Sequence, residues 1–208
     1  MTSAEFLAVV LPSEGFGLYC AVELTKKKEH VYAAKIEELI PTIEQWHANN
    51  YDIFYGVATF DKKRGAENAQ YLKAFFVDLD GYATKKAAAD ALIEFLTKSG
   101  LDVLGTPWVV DSGGGLHCYW PLKDEVPAAV WKPVAENLKR LCRQEGFTID
   151  MAVTADTARV MRMPGTANNK KKYPTPRPVR IVQEGDIFDF STFSPLVYEK
   201  LEEVPVVH

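Results

Sequence analysis

The stretch FFVDLDG, residues 75–81, joins the pattern of a buried β-strand to a pair of carboxylates. Because side chains alternate along a strand, Asp78 and Asp80 are predicted to point to the same side of a sheet. Strand interiors disfavour Asp, and two like charges held close together repel each other. An acidic, solvated strand end is therefore a weaker explanation than a divalent cation. Mg²⁺ is typically held by one or two carboxylates, with water and substrate phosphate completing its shell.

The bulk composition is that of an ordinary globular protein. The chain has 208 residues, of which 47% are hydrophobic and 25% charged, enough for one domain or two joined lobes. No apolar run approaches the roughly 18 residues of a membrane span, and the N-terminus lacks the positive region of a signal peptide. Cys20, Cys118 and Cys142 are scattered and form no zinc-binding pair. These features predict a cytoplasmic protein without a membrane partner.

Positive charge is concentrated in one segment of an acidic chain. The net charge is −4, which by itself argues against a nucleic-acid-binding protein. Residues 157–183, however, contain no Asp or Glu, and they hold Arg159, Arg162, Lys170, Lys171, Lys172, Arg177 and Arg180. Such a run is either a solvated loop or a surface that binds phosphate.

Strand-like and helix-like segments alternate along the chain, which predicts an α+β layered fold. Strands are predicted at FLAVVLP (6–12), FGLYCAVEL (16–24), YDIFYGVATF (51–60), AFFVDLD (74–80) and on both sides of the glycines at 113–115. Shorter strands or connectors are predicted at 147–153, 157–165 and 178–183. Helices are predicted at 33–50, interrupted by Pro41, and at 85–100, 127–146 and 194–204. One domain is expected, with N-terminal lobe elements at 1–60, a catalytic core at 61–185 and a C-terminal extension at 186–208.

The segment DSGGGLHCYW, residues 111–120, predicts a turn that binds an anion. A plain hairpin needs one or two glycines, whereas Gly113, Gly114 and Gly115 are consecutive. Successive backbone N–H groups in such turns form anion-binding nests. Ser112 opens the turn and His117 follows it, so an N–H-donating or protonated imidazole beside the nest would suit a triphosphate. Taken alone, His117 would be interpreted as a hydrogen-bonded sheet residue.

A third segment, GFTIDMAVTADTARVMRMPGTANNK (146–170), supplies another carboxylate and more positive charge. Asp150 ends an apolar run, as Asp78 does, and is a candidate third metal ligand. Asp156 competes for that role, although TADT (154–157) also fits a local turn or a capped helix start. Arg159 and Arg162 would lie on opposite faces of a strand but on one face of a helix.

Together these segments resemble the archaeo-eukaryotic primase superfamily, and most closely the primase-polymerase domains of phages and mobile elements. The first motif of that family, a hydrophobic strand ending in DxD, is matched by FFVDLD. The second, a Ser/Gly-rich turn ending in His, is matched by SGGGLH, and the third by Ile149-Asp150. Phage-type members also carry R-x-x-R-x-PGT-x-N-x-K, matched by RVMRMPGTANNK. The strict second motif is Ser-x-His, whereas here Gly115 stands two residues before His117 and Ser112 stands five before it, which leaves open whether Ser112 contacts phosphate or only caps the turn.

The resemblance implies a catalytic core with an RRM-like sheet, packed beside an additional N-terminal α/β lobe. It implies that Asp78, Asp80 and Asp150 hold two Mg²⁺ or Mn²⁺ ions and that, with His117, they form the catalytic centre. The implied substrates are a dNTP or NTP and a single-stranded DNA template, and a helicase domain or protein is a possible further partner. The implied nucleotide-binding residues are Ser112, Gly113, Gly114, Gly115, His117, Arg159, Arg162, Asn168 and Lys170. The implied DNA-binding residues are Lys62, Lys63, Arg64, Lys171 and Lys172.

Two other functions remain open from the sequence. FFVDLDG also matches the first motif of haloacid-dehalogenase-type phosphatases, in which the first Asp is a nucleophile, but that assignment leaves SGGGLH and RVMRMPGT without a role. A replication initiator or single-strand-binding module that has lost catalysis is the non-enzymatic alternative, although buried unpaired acids are costly to retain without a metal. De novo priming and simple extension are not distinguished, nor is the sugar preference, for which Tyr119 is a candidate determinant.

Overall fold

The computed structural model describes residues 1–201 and shows the α+β fold that the order of elements predicts. Its helices are α1 (Ser3–Val10), α2 (Ile36–Ala48), α3 (Lys85–Ser99), α4 (Ala128–Gln144) and α5 (Phe190–Glu199). Its strands are β1 (Tyr19–Glu23), β2 (His30–Ala33), β3 (Ile53–Gly56), β4 (Tyr71–Leu79), β5 (Trp108–Asp111), β6 (Leu116–Pro127), β7 (Val160–Arg162), β8 (Ala167–Asn168), β9 (Arg177–Pro178) and β10 (Arg180–Gln183). No helix within this range is long and apolar enough to cross a membrane.

The strands form two four-stranded antiparallel sheets and one short ribbon. The first sheet has the order β2-β1-β3-β7, the second β10-β5-β6-β4, and β8 pairs with β9. Strand β7 lies within the predicted catalytic core (61–185), yet it pairs with β3 of the predicted N-terminal lobe, so that Phe54 lies opposite Arg162. A division at residue 60 therefore does not separate the two sheets, because β7 returns to the first one.

Stacked aromatic side chains fix the position of β4. Phe75 stacks on Trp131 of α4 at 5.4 Å between ring centroids and on Phe193 of α5 at 4.6 Å. The indole Nε1 of Trp131 donates to the carbonyl of Ala74 at 3.0 Å. Burying a side chain of this size contributes about 2–3 kcal/mol. This packing holds β4 against α4 and α5, so the acidic end of the strand is presented from a rigid element.

The N-terminal segment FLAVVLP was predicted to be a strand, and that prediction is wrong. It lies in α1, which begins with a capping box: the Glu5 N–H donates to the Thr2 hydroxyl at 3.2 Å, and the Thr2 N–H donates to the Glu5 carboxylate at 2.6 Å. Phe6, Leu7 and Val10 are buried at helical spacing. The Thr-x-x-Glu signature is visible in the sequence and outweighs the β-propensity of the valines.

The structure also settles alternatives that the sequence left open. Helix α2 continues through Pro41 as one helix because Leu39, Ile43 and Trp46 bury a continuous face. Residues 147–153, predicted as a strand or a connector, form a connector. Helix α5 begins at Phe190, earlier than the predicted start at 194, and positions 202–204 of that prediction lie outside the described residues.

Candidate active site

All four sequence motifs meet at one cavity of about 220 Å³. One part of its wall carries the carboxylates of Asp78, Asp80 and Asp150. The predicted phosphate-binding residues form another part, which comprises Ser112, Gly114, Gly115, His117, Arg159, Arg162, Asn168 and Lys170. Lys172, predicted to bind DNA, also lines this cavity, whereas Gly113 and Lys171 do not line it. The cavity therefore combines anionic groups that suit cations with donors that suit phosphate.

The three carboxylates meet because the backbone of Asp150 is bonded to β4. The Asp150 N–H donates to the Asp78 carbonyl at 2.9 Å, so the segment before Asp150 runs alongside the strand without being part of the sheet. Asp80 follows the end of β4, and its carboxylate accepts from the Gly81 N–H at 2.9 Å. Burial, together with the charges of Asp80 and Asp150, raises the pKa of Asp78 to about 6.

These carboxylates fit a hard divalent cation by the chemistry of their donor atoms. Mg²⁺ and Mn²⁺ prefer carboxylate oxygens, and a cation among them would remove the repulsion that raises the pKa of Asp78. Among residues 1–201, however, no three His, Cys, Asp or Glu side chains already converge as a ligand set for a metal ion. The carboxylates thus supply suitable donor atoms, and water and substrate phosphate would complete the shell of a bound Mg²⁺.

The structure distinguishes between the two candidates for the third carboxylate by their positions. Asp150 lines the cavity, and its Oδ2 lies 3.7 Å from Nη2 of Arg159. Asp156 is not among the lining residues; its Oδ1 accepts from the Ala158 N–H at 2.9 Å and closes a local turn. Asp156 therefore forms the local turn that was the alternative prediction for TADT (154–157).

His117 lies directly across from Asp78 in the pairing of β4 with β6. Its Nε2 is 3.9 Å from Asp78 Oδ1, and its Nδ1 is 3.3 Å from the buried hydroxyl of Tyr119. Burial, with smaller effects from Arg162 and Arg159, lowers the pKa of His117 to about 3. The imidazole is therefore neutral at pH 7. When Tyr119 donates to Nδ1, the ring proton sits on Nε2, on the Asp78 side.

The glycine turn uses part of its own hydrogen-bonding capacity. The Ser112 hydroxyl accepts from the Gly115 N–H and donates to the Gly115 carbonyl, both at 3.1 Å. The Gly113 N–H donates to Asp111 Oδ1 at 2.8 Å. An added Cβ at Gly115 would lie 2.9 Å from the Leu79 carbonyl oxygen, just before Asp80. Glycine at this position lets the turn pack closely against the acidic end of β4.

Two polar residues hold the glycine turn in place. Asp111 is buried, and its carboxylate lies 2.7 Å from Lys85 Nζ in addition to its bond with the turn. The Asn168 side-chain amide donates to the Ser112 carbonyl at 3.0 Å, and its oxygen accepts from the Lys170 N–H at 3.3 Å. Asn168 therefore links the turn to the basic segment. Asp111 was not predicted as a site residue, although it stands next to the motif.

Arg162 is held by partners that the sequence did not predict. Its Nη1 donates to Asp52 Oδ1 at 2.6 Å, and its guanidinium lies over the Phe54 ring at 4.7 Å. Asp52 also accepts from the Asn169 N–H at 2.9 Å. Because Asp52 lies more than 100 residues before both partners, no local sequence pattern could reveal this contact.

The cluster Lys62, Lys63 and Arg64, predicted to bind DNA, is divided by the structure. Lys62 and Lys63 are exposed in the loop before Ala66–Asn68. The Arg64 guanidinium donates to the Ala158 carbonyl at 2.6 Å and to His30 Nε2 at 3.3 Å. Arg64 thus anchors the backbone next to Arg159, and the two lysines remain available at the surface.

Tyr173 is a lining residue that sequence reasoning missed. The Arg177 guanidinium stacks on its ring at 3.8 Å from the centroid, and Lys172 Nζ lies 5.2 Å from the same centroid. An added Cβ on Gly114 would meet the Tyr173 hydroxyl at 2.7 Å. Tyr173 therefore closes the cavity beside the glycine turn. An aromatic residue directly after a lysine run was the available signal.

Comparisons with known proteins place this fold among primase-polymerases. The AEP domain of the primase-polymerase of cyanophage S-2L superimposes with a TM-score of 0.67 over 93% of this chain and 95% of that domain, at 14% identity. Primase RepB′ superimposes with a TM-score of 0.60 over 96% of this chain and 60% of that structure, at 15% identity. No family model matches the chain.

One curated protein is similar in sequence. A replication protein from Clostridium perfringens is 29% identical over 143 residues, which cover 62% of this chain and 34% of that protein. The chain thus spans about a third of the length of this relative. The structural matches confirm, at the level of the fold, the resemblance that the motifs predicted: the chain has the fold of the S-2L primase-polymerase AEP domain and of primase RepB′.

Proposed function

We propose that this chain is a template-dependent nucleotidyltransferase that synthesises primers or extends DNA in phage or mobile-element replication. The observation that carries the proposal is the shared cavity, in which Asp78, Asp80 and Asp150 face donors that suit a triphosphate. The fold of primase-polymerases supports it. The proposed catalytic core includes β7, which completes the first sheet, so both sheets contribute residues to the reaction.

The proposed roles follow the division of charge in the cavity. Asp78, Asp80 and Asp150 hold two Mg²⁺ or Mn²⁺ ions, which when bound stabilise the attacking and leaving oxygens of an in-line displacement. The neutral His117 donates from Nε2 to a phosphate oxygen. Arg162, held rigid by Asp52, supplies positive charge without moving. Further phosphate contacts come from Arg159, Asn168, Lys170 and the glycine turn.

The proposed partners are a dNTP or NTP and single-stranded DNA. Lys62, Lys63, Lys171 and Lys172 provide positive charge for the DNA backbone, which attracts phosphate without regard to sequence. A helicase domain or protein acting with this region is a further proposal, supported only by the greater length of the Clostridium perfringens relative.

The phosphatase alternative has less support. It gives a role to Asp78 and Asp80 only, whereas the cavity also contains residues of SGGGLH and RVMRMPGTANNK. Neutral His117 and the surrounding basic side chains are explained by a bound triphosphate and have no role in that alternative.

A template-directed incorporation assay tests the proposal. The protein and its Asp78→Ala variant are mixed with single-stranded DNA, Mg²⁺ or Mn²⁺ and labelled nucleotides, with and without an annealed primer. Products without primer identify a primase, and products only with primer identify an extending polymerase. If the protein binds DNA but makes no products with or without the primer, the proposal is contradicted and the binding module is favoured. Phosphate release from a small phosphomonoester, without incorporation, would favour the phosphatase.

A further inference from the structure

A second concentration of positive charge lies outside the four motifs, in the connection between β1 and β2. Residues 24–29, called here the lysine loop, read LTKKKE and are exposed throughout. Lys35, Lys86, Lys98 and Lys139 each lie within 4.0 Å of a carboxylate. Within residues 1–201, Lys26, Lys27 and Lys28 form no such ion pair. Three adjacent ammonium groups therefore face solvent without a counter-charge in contact.

The backbone of the lysine loop is held by one buried carboxylate. Glu23 is 1% exposed, and its Oε2 accepts from the N–H groups of Thr25 and Lys26, both at 2.9 Å. Its Oε1 accepts from the Lys27 N–H at 2.6 Å and the Glu29 N–H at 3.3 Å. These four bonds order the loop backbone before any ligand binds. Ordering it in advance lowers the entropic cost of binding a ligand.

One lysine of the loop has an unfavourable backbone conformation. Lys28 has a φ of 56°, in the left-handed region that favours glycine. It lies within the turn whose neighbouring N–H groups, those of Lys27 and Glu29, donate to Glu23.

The lysine loop is also tied to the active-site cavity. The Leu24 N–H donates to the Asp52 carbonyl at 3.1 Å, and the Asp52 N–H donates to the Thr25 hydroxyl. The carboxylate of the same Asp52 holds Arg162 and the Asn169 N–H. The lysine loop and the basic part of the cavity wall thus share a single anchoring residue, which places the loop beside the cavity.

We propose that the lysine loop binds the phosphate backbone of the single-stranded DNA template beside the cavity. This inference rests on the proposed function and extends the DNA-binding surface beyond Lys62, Lys63, Lys171 and Lys172. Ammonium groups on a fixed backbone contact phosphates without reading the bases, as a template-dependent enzyme requires. Glu23 is a positioning residue, because it acts through the loop and does not face the DNA.

Salt-dependent DNA binding tests this inference. Fluorescence anisotropy measures the binding constant K of the full chain for a labelled single-stranded oligonucleotide, in the absence of divalent metal. The slope of log K against the logarithm of the salt concentration is then determined. Each phosphate contact to a single strand contributes about 0.7 to the slope, so the triple variant Lys26→Ala, Lys27→Ala, Lys28→Ala should lose about 2 units of slope. The matched control removes the same charge from exposed helical positions, as Lys86→Ala, Lys98→Ala, Lys132→Ala, and should keep the slope.

A third variant separates the position of the lysines from their charge. Glu23→Gln removes one negative charge and keeps all three lysines, yet it weakens the hydrogen bonds that order the lysine loop. It should bind the oligonucleotide more weakly than the wild type, whereas an effect of net charge alone would make it bind more tightly. Tighter binding by Glu23→Gln, or equal slopes for the lysine-loop and control variants, would overturn the inference.

The outcome is independent of the test of catalysis. If the salt slope of the lysine-loop variant is reduced but the wild type incorporates no nucleotide, the inference about the loop is supported and the proposed nucleotidyltransferase activity is contradicted. If the wild type incorporates nucleotide and the lysine-loop variant has the wild-type salt slope, the proposed activity is supported and the inference about the loop is contradicted.

Discussion

His117 illustrates at the scale of a single residue how burial determines a functional role. The sequence allowed either a protonated or a neutral, N–H-donating imidazole beside the glycine turn. Burial and the nearby guanidinium groups lower its pKa to about 3, which leaves the neutral form at pH 7. A neutral donor can bind a phosphate oxygen without forming a permanent ion pair with Asp78.

Replacing His117 should therefore affect nucleotide binding more than template binding. In the His117→Ala variant, the nucleotide KM is expected to rise about ten- to a hundredfold, because one hydrogen bond to a charged group is lost. The dissociation constant for single-stranded DNA should stay near the wild-type value. Steady-state kinetics and anisotropy measure the two quantities, and an equal loss of both would indicate that His117 only supports the core.

Glu23 gives a prediction on pH at the same scale. Burial alone would raise the pKa of this carboxyl, but it accepts from the backbone N–H groups of Thr25, Lys26, Lys27 and Glu29, and these bonds outweigh burial and lower the pKa below 4.5. A lowered folded-state pKa stabilises the protein above about pH 4.5, and this contribution disappears as the pH falls through the folded-state value. At pH 7, Glu23→Gln should lower the free energy of unfolding by about 1–2 kcal/mol.

Urea unfolding at several pH values measures that difference. The gap between wild type and Glu23→Gln should narrow as the pH is lowered from 7 to 3. A gap that is constant across this range would show that the carboxylate charge does not order the lysine loop.

At the scale of elements, close packing accounts for the glycine turn between β5 and β6, for which anion binding is a proposal. Two of its N–H groups are used by Ser112 and Asp111, and Gly115 packs against the backbone of β4. The sequence predicted the turn and its two strands correctly, because the three glycines interrupt apolar runs. It could not predict how closely the turn approaches β4, which depends on the pairing of β4 with β6.

Alanine substitutions in this turn should differ in severity. A Cβ on Gly115 meets the Leu79 carbonyl at 2.9 Å, and backbone cannot move aside easily, whereas a Cβ on Gly114 meets the movable hydroxyl end of Tyr173. Gly115→Ala is expected to cost about 1–3 kcal/mol and to displace Asp80, with loss of incorporation. Gly114→Ala should be milder in both respects. Thermal melting and incorporation assays on both variants test the order, and a more severe Gly114→Ala would contradict it.

Two segments with the composition of strands are not strands, for different reasons. The capping box of α1 was overlooked in favour of the valines that follow it, although the deciding residues, Thr2 and Glu5, are local. The segment before Asp150 is positioned by one backbone bond to Asp78 and forms no ladder. Only this second difference depends on a tertiary contact, which overrides propensity.

At the scale of the whole molecule, the site is assembled from both sheets. Carboxylates come from the end of β4 and from the segment that contains Asp150, while Arg162 comes from β7 and is held by Asp52 next to β3. The motifs predicted most of the polar residues that line the cavity, because their chemistry is visible in the sequence, but they also included Gly113, which does not line it. Supporting residues such as Asp52, Asp111 and Tyr173 were missed, since their roles depend on contacts that appear only in the folded chain.

The most direct test of the proposed two-metal nucleotidyl transfer is primer extension by two nearly isosteric variants, Asp150→Asn and Asp156→Asn. Asp150 lines the cavity together with Asp78 and Asp80, whereas Asp156 closes a turn outside it. Asp150→Asn is expected to lose about a hundred- to a thousandfold in incorporation rate, as for the loss of a main electrostatic group. Its metal-free thermal melting should remain at or above the wild-type value, because repulsion is removed. Asp156→Asn should retain incorporation. Retained incorporation by Asp150→Asn would contradict the proposed three-carboxylate site.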